Sequence, residues 1–217
     1  MHFGIVAAKA ELDQFMAAFA ACWPRLEPTR RASLAGLEAL QDWMRATQRQ
    51  VTTAAAPAVD PGTGTFGFWQ DGDWAVMFDP SYVQASDGRA LAALSQRFGL
   101  TLSFIIETSG GCAFFDAFER GRRVRRIQSI DGAVTSEGER LAQEAGLPAA
   151  SYYMEETERL QRAFGLTLPG QLPADHPVIG AAHIDRTDYG ALRKAGAAHA
   201  PGAKAAPAPR RPWWRFW

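Results

Sequence analysis

Apolar residues recur along this chain in two rhythms, and the switches between them mark the elements. From Leu12 to Trp23 the spacing is three or four, through Phe15, Met16 and Phe19. That spacing predicts an amphipathic helix over residues 9–23, ended by Pro24. Residues 3–8 read as a short strand before it. Leu34, Leu37, Leu40, Trp43 and Met44 form a second helical stripe, in a helix expected to start at a Ser33 cap and run through residue 49. Stripes of this kind are burial signals, so their aromatics read as core. Residues 52–64 (TTAAAPAVDPGTG) have the composition of a surface connector.

Residues 66–130 carry the strongest pattern, read as a hairpin, a helix and a three-strand meander. Asp71 and Gly72 mark a hairpin turn between a strand with Phe66 and Phe68 on one face and a strand with Trp74, Val76 and Phe78 on one face. Asp79, Pro80 and Ser81 end the second strand, because Pro cannot donate to a ladder. Leu91, Leu94 and Phe98 then recur at helical spacing, between an Asp87 N-cap and a Gly99 C-cap. Three strands follow, at 100–107, 112–119 and 124–130. The turns between them are short, which implies antiparallel pairing.

Beyond the meander the signals weaken. Residues 136–146 fit a capping box through Ser136 and Glu139, or an extended segment, with Gly138 weakening a helix. Residues 151–164 predict a helix with Ser151 as N-cap and Gly165 as C-cap. Residues 166–188 contain Pro169, Pro173 and Pro177 and read as irregular. The resulting expectation is an α+β domain over residues 1–195. Its sheet would be an antiparallel meander of about five strands, with helices packed on one face.

Composition changes this picture mainly at the C-terminus. The 217 residues carry no net formal charge and are 47% hydrophobic, enough for a substantial core and without a general affinity for nucleic acid. Residues 197–217 hold Lys204, Arg210, Arg211 and Arg215 and no acid, which leaves the preceding 196 residues with 19 basic and 23 acidic side chains. Residues 196–212 are Ala/Pro-rich and read as a disordered linker. The last five residues are Trp213, Trp214, Arg215, Phe216 and Trp217. With Arg210 and Arg211, they suit a partner's pocket, an anionic membrane interface or a groove of their own domain, because amphipathic aromatics beside cations fit all three. There is no signal-peptide pattern or apolar run of transmembrane length, and the two cysteines form no disulfide framework, so the cytoplasm is the expected compartment.

Candidate chemistry is sparse. Asp175 beside His176, and His183 near Asp185, place carboxylates next to imidazoles without a metal-ligand spacing. No metal or other cofactor is expected. Cys112 opens an apolar strand and reads as a buried thiol. The turn at 108–111 offers amides to an anion but lacks a nucleotide-binding motif. Glu107 and Asp116 are candidates for approach across their hairpin as an acid–base pair. Arg122, Arg123, Arg125 and Arg126 form a basic cluster. Alternation puts Arg123 and Arg125 on one face and Arg122 and Arg126 on the other, to pair with acids on a neighbouring strand, to protect an edge strand or to bind an acidic partner.

Trp74 with its strand, Ala93-Leu94-Ser95, Leu102-Ser103-Phe104 and Phe118-Glu119-Arg120-Gly121 together resemble a pattern in small bacterial proteins, some of them similar to immunity proteins of polymorphic toxin systems. The resemblance spans residues 66–165. It implies a non-catalytic, inhibitor-like protein that binds a protein partner, and such proteins share no catalytic residues to carry over. The reading on these grounds is a binding protein with an accessory tail. Its alternatives are a peripheral membrane adaptor anchored by that tail, or an enzyme pairing a sheet carboxylate with His176 or His183.

Overall fold

The computed structural model describes residues 2–54 and 63–185. Residues Met1–Arg186 form one compact unit. In chain order its elements are β1 (His2–Lys9), α1 (Leu12–Cys22), β2 (Leu26–Ala35), α2 (Gly36–Ala54), β3 (Thr63–Asp71), β4 (Trp74–Asp79), α3 (Gly88–Phe98), β5 (Leu100–Glu107), β6 (Cys112–Glu119), β7 (Arg122–Ile130), β8 (Ala133–Glu137), α4 (Met154–Ala163) and β9 (Pro177–Asp185). The linker at 196–212 and the aromatic tail lie outside the described residues. No described helix is long and apolar enough to cross a membrane.

The α+β class and the antiparallel sheet are as the sequence implies, but the sheet has nine strands rather than about five. Their order is β2-β9-β3-β4-β1-β5-β6-β7-β8. The predicted hairpin is β3–β4, with Asp71 opposite Trp74, and Gly72 supplies the positive φ that the two-residue turn requires. The predicted meander is β5–β6–β7, extended by β8. Asp87 caps α3 by accepting from the backbone N–H groups of Arg89 and Ala90. Ser151 does not cap α4. Its hydroxyl donates to Glu156, which also accepts from the Tyr153 amide.

Two strands depart from expectation. Ser33 lies within β2 rather than at a helix start. β2 is an edge strand, mostly exposed, so its LEPTRRASLA sequence carries no apolar alternation. Residues 177–185 are strand β9, not irregular chain. Pro177 is tolerated because it is the first residue of the strand. β9 inserts between β2 and β3 and supplies β2's only strand neighbour among the described residues.

Helices cover both faces of the sheet, not one. On one side α2 and α4 bring Leu40, Met44 and Leu160 onto Phe3, Ile5, Trp69, Trp74, Phe104 and Phe115. On the other, α1 and α3 bring Phe15, Phe19, Leu91 and Leu94 onto Val6, Phe66, Phe68, Met77 and Ile105. β1 sits at the centre, and Phe3 to Ala8 are all buried. A strand buried on both faces reads as a continuous apolar run, and this one does.

Gly67 and Gly180 face each other across β3 and β9, beneath α2. A methyl group on Gly67 would fall 2.3 Å from Leu40 Cδ2, and one on Gly180 would fall 2.6 Å from the Trp43 ring. Their bare backbones let α2 dock closely. Gly67→Ala is therefore expected to cost about 1–3 kcal/mol in urea unfolding, the usual range for overpacking. Gly180→Ala should cost less, because half-buried Trp43 can swing outward whereas Leu40 has no exposed surface.

Candidate functional site

The arginine cluster of β7 divides into structural and exposed members. A bulge opposite Ala117 and Phe118 adds one residue to β7 and shifts its alternation. Arg123 and Arg126 consequently share a face, and Arg125 takes the other, contrary to a regular alternation. Arg125 is buried and makes a bidentate pair with buried Glu144, both bonds at 2.8 Å, and also donates to the carbonyls of Glu137 and Gly138. Arg126 grips Asp116 through two bonds of 2.7 Å. Arg123 reaches Glu137 at 3.0 Å. Arg122 and Arg123 are exposed.

The acids and histidines of the alternative enzymatic reading do not converge. Glu107 pairs with Cys112 at the hairpin end, whereas Asp116 pairs with Ser103 four residues along β6. That is about 13 Å of strand. Glu107 accepts from the backbone and hydroxyl of Ser109 and from the Gly110 amide, so the amides of this turn are directed inward rather than at an anion. His176 Nε2 lies 3.0 Å from the Gln70 carbonyl oxygen and ties the β3–β4 hairpin to the segment before β9. His183 lies seven residues on, against Phe19 and Phe66 at the other end of β9. Burial depresses its pKa and keeps the ring neutral. Cys112 is buried, its Sγ 3.1 Å from the Gly110 carbonyl oxygen, and burial with the nearby Glu107 and Asp131 pushes its thiol pKa up. That is the opposite of what a nucleophilic cysteine needs. The described residues hold no cluster of three metal-ligating side chains.

The feature that does assemble is the loop between β4 and α3. Asp79 has no exposed surface, and its carboxylate gathers the loop around itself. One oxygen accepts from the Ser81 amide (3.0 Å) and hydroxyl (2.7 Å). The other accepts from the amides of Gln84 (2.8 Å) and Ala85 (3.1 Å). Burial raises the Asp79 pKa despite these donors. The Ser103 hydroxyl, donating to the Ala85 carbonyl at 2.6 Å, fixes the loop to β5. Within this frame Tyr82 has a φ of 49°. Arg120 and Asp131, the other described non-glycine residues with positive φ, sit in two-residue hairpin turns that call for it; Tyr82 does not. Beside it Val83 is 49% exposed.

Strand register places Ile130, the other exposed large apolar side chain among the described residues, at the same end of the sheet. Ile130 pairs with Cys112, Cys112 with Glu107 and Glu107 with His2. Tyr82 packs over Gly4, two residues along β1. β1 and β7 are three strand spacings apart, about 14 Å. On this side α3 reaches the meander near 118–121, where Gly121 donates to the Ser95 hydroxyl. The rest of the face shows half-buried Phe114, Gln128 and Arg126 to solvent, with Asp116 buried beneath Arg126. Sequence reading missed Tyr82 and Val83. The Asp79-Pro80-Ser81 triplet is a turn signal that points to the loop, but no signal marks a positive φ at tyrosine.

Compared with protein-family models, with curated proteins and with solved structures, the chain has no significant match to any.

Removing one partner of a buried ion pair costs about 3–5 kcal/mol, whereas exposed charges contribute little. Arg125→Ala is thus expected to lose about that much stability in urea unfolding. Arg122→Ala and Arg123→Ala should stay within about 0.5 kcal/mol of the parent.

Asp79→Asn turns amide hydrogens towards backbone N–H groups and should cost about 1–3 kcal/mol near neutral pH. Folding raises the Asp79 pKa, so the folded chain keeps this proton where the unfolded chain, at its ordinary 3.8, has lost it. The parent's stability advantage over Asp79→Asn should therefore be largest in acid. It should shrink as pH rises from 3.8 through the raised value. An advantage that instead grew with pH would show that the four donors outweigh burial.

Proposed function

We propose that this chain is a non-catalytic protein-binding domain, inhibitor-like in the manner of immunity proteins, that occludes a partner with a preformed surface. The observation that carries the reading is the 79–87 loop. Its backbone is fastened to a buried carboxylate, it holds a tyrosine in the left-handed region, and it presents Val83 to solvent. Strain of this sort costs about 1–3 kcal/mol and persists only where surrounding structure over-determines it, which happens preferentially at functional sites. A fixed loop also loses little conformational freedom on binding, so more of the contact energy appears as affinity.

The binding surface on this reading runs from Tyr82 and Val83 across Phe114 to Ile130. Arg122 and Arg123, at the opposite end of β7, provide a separate basic rim for steering an acidic partner. The tail residues Arg210, Arg211, Trp213, Trp214, Arg215, Phe216 and Trp217 form a second, tethered contact that raises effective concentration, with an anionic membrane as its other receptor. The setting is cytoplasmic, and the Asp79-fastened loop acts without metal or cofactor.

The test places a photo-crosslinking amino acid at Val83, at Ile130 or, as a control, at exposed Glu155 on α4, on the other side of the sheet, in the full-length chain within its native cell. A single protein partner crosslinked from Val83 and Ile130 but not from Glu155, and lost on Tyr82→Gly, is the expected result. Crosslinking only from a probe placed at Trp214 would move recognition to the tail. Equal labelling from all positions would overturn the surface.

A further inference from the structure

We propose that β8 pairs edge to edge with β8 of a second copy of this chain, in a symmetric antiparallel dimer whose two-fold axis passes through Thr135. The pairing uses the backbone edge of β8 rather than the side-chain face that runs from Tyr82 to Ile130, so it stands or falls separately from the binding surface above.

The sheet ends in two edge strands, β2 and β8, and they differ in how they are guarded. Native edges resist pairing with one another through proline, bulges and charge. β2 has all three. Pro28 lacks an N–H, the register shifts between Pro28 and Arg30, and Arg30 and Arg31 occupy the middle of the strand. A two-fold pairing centred there would set arginine against arginine, which is destabilising. β8 is AVTSE, without proline, lysine or arginine, and its register against β7 runs unbroken. Its one charged residue, Glu137, sits at the strand end and is paired with Arg123 at 3.0 Å. Ala133, Thr135, Ser136 and Glu137 are exposed.

The hairpin turn decides which backbone groups of β8 point outward. Asp131 and Gly132 have φ of 50° and 79°, and Ile130 pairs with Ala133, as in a two-residue type I′ hairpin. The residues flanking such a turn exchange both of their hydrogen bonds, and every second pair along the ladder does the same. Ala133, Thr135 and Glu137 therefore turn their N–H and C=O groups towards β7. Val134 and Ser136 turn theirs away. Among the described residues β7 is the only strand neighbour of β8, and no turn or loop backbone bonds to Val134 or Ser136.

Self-pairing satisfies these outward groups together. With Thr135 on the axis, each Val134 lies opposite Ser136 of the other copy and exchanges both hydrogen bonds with it. A register centred on Val134 or on Ser136 would use only half of them. The side chains agree with the same register. Thr135 meets its own copy, a favourable cross-strand pair, and Ala133 meets Glu137, so no like charges are opposed. The axis of an antiparallel pair is perpendicular to the sheet, which leaves the uncovered faces of both copies on one side. Phe114, Gln128 and Thr135 form a row across β6, β7 and β8, and the dimer continues that row through the same three residues of the second copy. A strand of five residues buries little area, so the dimer belongs to the weak, transient class.

The experiment is sedimentation velocity on the full-length chain over a concentration series, with two-dimensional amide NMR of the same samples. A monomer–dimer equilibrium with Kd on the order of 0.1 mM is expected, with concentration-dependent shifts centred on residues 134–136. Ser136→Pro removes an outward N–H and spares the β7 ladder, so it should weaken the dimer about tenfold or more through the bonds lost from both copies. Thr135→Lys and Thr135→Glu each set like charges against one another on the axis and should weaken it about fivefold. An equimolar mixture of these two variants should recover dimerisation, because only a residue on the axis meets itself. Arg31→Glu, on the β2 edge, should leave the equilibrium unchanged. A chain that stays monomeric at about 1 mM, a dimer indifferent to Ser136→Pro or altered by Arg31→Glu, or charge variants that do not recover on mixing would each overturn the proposal.

Discussion

Burying both faces of β1 and its neighbours is the constraint from which the rest of this fold follows. β1 offers Phe3, Ile5 and Ala7 to one side and Val6 and Ala8 to the other, all of them buried. Neither set is satisfied unless a layer of helix covers it. Full burial of a Val, Leu, Ile or Phe side chain contributes about 1.5–3 kcal/mol, so leaving either face open would cost several such contributions. The chain meets the demand by sending α1 and α3 to one side and α2 and α4 to the other. The glycines at 67 and 180 follow from the same demand, since α2 reaches Trp69 and Val178 only by approaching the sheet backbone closely.

The buried carboxylates show a second consistent solution. Asp79 and Glu107 both sit at a strand end and accept from amides of the chain that follows. Glu144 accepts from the Leu141 amide and pairs with Arg125. Each acid thus organises a segment outside the strands and α-helices, a turn, a loop or a single 3-10 turn, whose backbone has no ladder to satisfy it. A buried carboxylate is expensive unless fully hydrogen-bonded, and a turn of unpaired N–H groups is the partner set nearest to hand. This is why Glu107, a candidate catalytic group in the sequence, is engaged as a fastener in the fold. Of the three, Asp79 fastens the longest loop, and that loop carries the strained tyrosine.

Legibility from sequence followed local physics. The β3–β4 hairpin, α3 with its Asp87 cap, and the β5–β7 meander were readable because turn glycines and apolar spacing are properties of neighbouring residues. β2 was not, since an edge strand exposed on most of its length need not alternate. β9 was hidden by Pro177 and by small residues such as Gly180, Ala181 and Ala182, whose role is set by what packs over them. The count of strands and the second helical layer failed together. A sheet of about five strands covered on one face is a consistent object, and only the distant insertion of β9 between β2 and β3 makes the larger one. The arginine cluster was found by type and misplaced by phase, because one bulge residue reverses every later side chain on its strand.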